Sequence, residues 1–237
     1  MRDATPVGGF RKKAWGLNVA LGLVVAAVVF FVLRSATDES GDVPKAAPSA
    51  QPSSADRPAP SAQSSVADRP MIGLADVFPN QVADPAGGTY TKVGAVVLKS
   101  CTEPDSVGPL LADYIARGKG CVGEQVALYK DAKNNQFNLA VFTMKDPLDT
   151  VKLVTRLGSA PMDYQVGAQA PPPGSGLKTL PPDSGMVQGF TGQGRAMVVG
   201  LGQWSDGATR DYQRLVERLT PLLNSVSDRV ARYETSP

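Results

Sequence analysis

Histidine is absent from the chain, and cysteine occurs only twice. The first absence removes the commonest metal ligand and the usual general base near neutral pH. The second leaves two thiols that, without histidine, make a poor metal site. An excess of either charge is missing too. The formal net charge is +2, and from residue 71 onward sixteen basic side chains face sixteen acidic ones. A domain that neutral lacks the electrostatic footprint of a binder of nucleic-acid phosphates, so no nucleic-acid partner is expected. No serine or cysteine nucleophile can be matched with a base, and no cofactor motif is legible. The glycine run around "GFTGQGRAMVVGLG" lacks the lysine and the strand-to-helix context of a phosphate loop and reads as a hairpin turn.

What the chain does have is a long uncharged run. Trp15 to Leu33 spans 19 residues, with Asn18 as its only clearly polar side chain. At about 1.5 Å per residue this reaches roughly 28 Å as a helix, close to the hydrocarbon thickness of a bilayer. Arg11, Lys12 and Lys13 precede it, while Asp38, Glu39 and Asp42 follow Arg34. The positive-inside rule therefore places residues 1–14 in the cytoplasm as a tail, residues 15–33 across the membrane, and the rest outside. A cleaved leader is the competing reading. Its apolar region is shorter, roughly 7 to 15 residues, and ends in small residues. Here a cut after Ala36 would put Arg34 where a small residue belongs. A buried core helix would need a polar side, and this run has none. The segment reads as an uncleaved signal-anchor, and Asn18 as an interfacial residue or a hydrogen-bonding link between two spans.

Residues 34–70 form an Ala/Pro/Ser-rich linker. Of residues 35 to 70, 22 are Ser, Ala or Pro, two are valine and none is aromatic. Such a stretch buries too little apolar area to offset its ordering entropy, so a disordered, partly extended tether is expected.

Residues 71–237 carry the globular pattern. "TYTKVGAVVLKS", at 89–100, is rich in β-branched residues and reads as a strand. "SVGPLLADYIARG" has helical spacing. "GEQVALYKD" and "QFNLAVFTMK" form a hairpin around "AKNNQ", whose asparagines tolerate left-handed backbone angles. Asp149 is expected to cap a helix over "DPLDTVKLVTRLG". Residues 159–185 are a Pro/Gly-rich excursion dividing the domain into two similar halves. A second hairpin follows, with "MVQGF" and "RAMVVGLGQW" joined at "TGQG". A long amphipathic helix, capped by Ser205 or Asp206 and kinked or divided at Pro221, closes the chain. The fold class is α+β: a mostly antiparallel sheet with helices packed on one face, preceded by the transmembrane helix and the linker.

Cys101 and Cys121 would pair if this domain lies outside the cell, stapling the end of the first long strand to the start of the next. The carboxylates Glu103 and Asp105, and Asp146 and Asp149, stand close in sequence and read as caps and solvated charge. Trp204, with Tyr212 nearby, is a core aromatic or, if exposed, part of a binding surface.

The order of segments (short basic tail, one span, Ala/Pro/Ser spacer, small two-cysteine domain) resembles the uncharacterised single-pass membrane proteins of high-GC actinobacteria. The resemblance covers the whole layout and rests on composition and segment order. It implies a cell-envelope location. Three functions are compatible with these residues: a membrane-anchored domain binding or sensing an envelope protein, peptide or wall component; a carboxylate-dependent enzyme acting on an envelope polymer; and a structural tether or assembly factor.

Overall fold

β-Branched and aromatic residues at alternating positions build the strands, and a computed structural model describes residues 69–161 and 163–236. The elements run α1 (Leu74–Val77), β1 (Gln81–Ala83), β2 (Thr89–Leu98), α2 (Pro109–Ala116), β3 (Cys121–Lys130), β4 (Gln136–Met144), α3 (Pro147–Ser159), β5 (Met186–Gln193), β6 (Ala196–Gln203) and α4 (Tyr212–Thr235). The proposed tail, the span and nearly all of the linker lie outside the described residues. Among those that are described, no helix is long and apolar enough to cross a membrane.

The six strands form one sheet in the order β1-β2-β3-β4-β6-β5. Every adjacent pair is antiparallel. β4 is central and buried along its whole length. Its side chains alternate between two cores. Phe137, Leu139 and Val141 enter one, with Tyr90, Tyr129 and Val198 and with Leu215, Leu219, Leu222, Val226 and Val230 of α4. Ala140, Phe142 and Met144 enter the other, with Met197, Val199 and Leu201, with Leu111 and Ile115 of α2, and with Leu153 and Leu157 of α3. Each fully buried aliphatic or aromatic side chain contributes roughly 1.5–3 kcal/mol relative to exposure.

This corrects the expectation of helices on one face. α1 and α4 cover one side of the sheet, and α2 and α3 the other. A strand buried at every position, with large apolar side chains on both faces, needs two covers, and β4 is such a strand. The division into two halves is also corrected, because β4 pairs directly with β6 across the excursion.

Residues 160–185 lie against the sheet as a strap instead. Val166 bridges Val107, and the Gly167 amide donates to the Ser106 carbonyl. Asn138 Oδ1 accepts from the Gln169 amide at 2.9 Å. Gln136 and Lys130 donate to the carbonyls of Lys178 and Ser175. These bonds hold a proline-rich segment that has no ladder of its own.

Local chemistry accounts for the remaining differences. Asp146, not Asp149, caps α3: its Oδ1 accepts from the Leu148 amide at 2.8 Å. Asp149 is buried in the first turn and reaches back to the Lys119 amide. The β5–β6 turn is two residues long, Gly194 and Arg195, so Thr191 to Gln193 belong to the strand. Gly194 has φ +57°, a conformation that favours glycine. α4 is one 24-residue helix with Pro221 inside it, and neither Ser205 nor Asp206 caps it. Asp206 instead accepts from the Ala208 amide and pairs with Arg210. Asn134, at φ 57°, turns the β3–β4 hairpin as its residue type allows.

Candidate functional site

β2 lies next to the sheet's edge, yet β1 covers only its first part. The paired residues are Gln81–Thr91, Val82–Tyr90 and Ala83–Thr89, and the Lys92 amide donates to the Asn80 carbonyl. A bulge between Lys92 and Gly94 interrupts the ladder to β3, after which Gly94 to Leu98 pair regularly with Leu128 to Glu124. Among the described residues, nothing hydrogen-bonds the other side of Gly94–Leu98. This stretch reads Gly-Ala-Val-Val-Leu and holds no charge and no proline. Val96 and Val97 point to opposite faces and are 42% and 44% exposed. An uncharged, valine-bearing open edge is a template for a further strand.

Cys101, three residues beyond this edge, is disulfide-bonded to Cys121, with Cα atoms 6.3 Å apart. The bond is the expected one and joins the end of β2 to the start of β3 around α2. A shallow cleft of about 280 Å³ lies beside it, lined by Lys99, Ser100, Thr102, Ile115, Gly120 and Val122 among others.

Behind the same loop sits a group that sequence reasoning passed over. Glu124 is fully buried on β3, on the α2 side of the sheet, where Leu98 and Phe142 are its neighbours in the ladder. Ser106 donates its hydroxyl to Oε1, and Oε2 has no partner. Burial pushes this carboxyl up to about 7. The Ser106 hydrogen bond opposes that rise, and the charge of Glu103 adds to it. The only sequence signal was a carboxylate inside a strand that continues as the apolar run Val126–Tyr129.

The other residues singled out in the sequence are dispersed. Trp204 and Tyr212 are half-buried and pack against the α4-side core. The Trp204 indole N–H donates to the Arg210 carbonyl at 2.8 Å, closing the turn before α4. Glu103 supplies its backbone carbonyl to the amides of Ser106 and Val107, and Asp105 is exposed. Asp146 pairs with Lys119 at 2.5 Å, and that hydrogen bond, with the Leu148 amide, holds its carboxyl below the ordinary range. Among the described residues no group of three or more metal-ligating side chains converges.

Two buried charge clusters hold the α4 side. Arg195 pairs with Glu234 at 3.1 Å, both essentially sealed from solvent, and also donates to the Arg69 carbonyl. Arg218 bridges Asp131 and Asp84, and its backbone carbonyl takes the Tyr90 hydroxyl at 2.6 Å. Both clusters tie α4 to loops at the sheet's ends.

No protein-family model, curated protein or solved structure matches this chain.

Proposed function

We propose that this chain is a single-pass membrane protein, N-terminus in the cytoplasm, whose domain outside the membrane binds a cell-envelope protein by accepting a strand along Gly94–Leu98. One observation carries the binding reading: five consecutive uncharged residues with a strand neighbour on one side only and exposed valines on both faces. The Cys101–Cys121 bond supports the location, since disulfides persist in oxidising compartments. The uncharged run Trp15–Leu33 supports the anchor.

Two experiments test the two parts. A reporter after Pro237, with protease added to whole cells, reads the topology; a reporter that survives protease refutes the outward placement. Crosslinking of the full chain in membranes, with and without Val96→Lys, reads the edge. Loss of a discrete crosslinked species in the lysine variant supports strand addition, and an unchanged pattern refutes it.

The carboxylate-enzyme alternative has Glu124, with Glu103 as its charged neighbour, as its most perturbed acid. Turnover of wall fragments that Glu124→Gln abolishes would favour it.

A further inference from the structure

We infer that the strand accepted at Gly94–Leu98 is the same five residues of a second copy, so that two domains join into one continuous antiparallel sheet about a two-fold axis at Val96. This rests on the strand-addition reading and names its partner.

The argument is one of fit. An antiparallel pairing centred on Val96 sets Val96 against Val96, Val97 against Ala95, and Leu98 against Gly94. Large side chains thus meet small ones at every off-centre pair. The Gly94–Leu98 contact lies on the face where Pro172 of the strap sits 3.8 Å from the place a Gly94 Cβ would occupy. The second copy's Leu98 therefore meets an open backbone flanked by an apolar ring. Val96 and Leu98 share the face of the α2–α3 core, while Ala95 and Val97 share the face of the α4 core. The two-fold operation keeps each face with its own kind, and both cores run on across the join.

The length of the open edge also fits. The Asn80 carbonyl occupies the Lys92 amide, so an incoming strand has room only beyond that point. With the axis at Val96, five residues of each copy occupy this room. Charge does not oppose the pairing. Lys99 stands opposite Val93, and the two Lys99 residues lie six positions apart along the join, on the order of 20 Å. Isologous pairing of this kind is the commonest closed symmetry among soluble oligomers.

A five-residue strand pair buries well under the roughly 1,200 Å² of a stable standard interface. The association is therefore weak for free domains and depends on confinement. Copies tethered to one membrane by the 34–70 linker meet at a raised effective concentration.

The test uses the full chain in membranes, co-expressed with two different tags. Both natural cysteines are engaged with each other, so an added cysteine is the sole free thiol. Paired Cα atoms in an antiparallel ladder lie about 4.5–5.5 Å apart, within disulfide reach. Val96→Cys is expected to give a two-tag dimer on mild oxidation. Copies with Gly94→Cys are expected to link to copies with Leu98→Cys, and neither variant to itself. Val96→Lys sets like charges opposite each other and is expected to lower co-purification of the two tags about tenfold.

A Val96→Cys chain that stays monomeric overturns the inference. If that thiol reacts with a maleimide, the edge stands open; if it does not, another occupant covers it. Co-purification that survives Val96→Lys, in a chain whose protease resistance matches the parent, also overturns it and moves the association to another surface. A lysine-sensitive crosslink to a different protein would retain the binding role and refute only the second copy.

Discussion

Replacing Glu124 by glutamine removes the one buried carboxyl whose proton affinity the fold raises most, and its effect on stability has a definite sign. In the folded domain the carboxyl titrates near 7; its ordinary value is 4.5. Between those limits the folded state holds a proton that the unfolded chain has released. Stability therefore falls as pH rises from about 4.5 to about 7, and the loss is complete above that window. At about 1.4 kcal/mol per pH unit the displacement amounts to about 3 kcal/mol. Glutamine keeps an acceptor for the Ser106 hydroxyl and cannot ionise. The expected outcome is a variant that matches the parent within about 1 kcal/mol at pH 4.5 and exceeds it by about 3 kcal/mol at pH 8. Urea unfolding of residues 69–237, oxidised and followed by circular dichroism at several pH values, measures this. The quantity to compare is the difference between variant and parent, which cancels the titration of other groups. A difference that stays constant from pH 4.5 to pH 8 would refute the assignment of a buried, proton-retaining carboxyl at Glu124.

Three further outcomes follow from other parts of the fold. Glu234→Gln strips the buried Arg195 of its counter-charge, and the expected cost in urea unfolding is about 3–5 kcal/mol. Gly200→Ala puts a Cβ at 3.0 Å from Leu219 Cδ1 and 3.4 Å from Leu139 Cδ1, so the packed leucines beneath α4 must give by a few tenths of an ångström, at an expected cost of about 1–3 kcal/mol seen as a lowered Tm. Replacing Cys101 and Cys121 together by alanine releases the loop around α2 and lowers stability by about 3 kcal/mol in the same unfolding assay; no change would show that the loop is held by its other contacts.

Much of the fold was legible where side-chain period decides the answer. β2, β3, β4 and the three longer helices follow their apolar spacing, and the cysteine pairing follows from their flanks. The face that each helix covers was not legible, because it depends on crossover geometry and not on any one element's pattern. β4 carried the clue, with large apolar side chains on both faces. The β5–β6 hairpin misled for a chemical reason. "TGQG" looks like a turn, yet Thr191 to Gln193 belong to β5, where Val154 and Thr150 of α3 come close to the backbone of Gly192. The three-residue β1 and the buried Glu124 left almost no trace in the pattern. One is too short for a period, and the other is a single acid whose importance depends on Ser106, eighteen residues away.

The open edge of β2 was visible only as a strand. Its exposure depends on β1 beginning only at Gln81: in the antiparallel register the residues that would cover Gly94–Leu98 lie before it, and there the chain forms α1 instead.

The corner where the described chain begins bears on mechanics. Arg69 donates to the carbonyls of Tyr233 and Ser236 and lies over the Tyr233 ring, while the Tyr233 hydroxyl donates to the Pro70 carbonyl. Both ends of the domain are thereby clasped at one point. A pull arriving through the preceding residues loads that clasp first, then the lead-in before β1, and it reaches the long central strands last. On that path the clasp would part as a sacrificial link before the sheet is sheared.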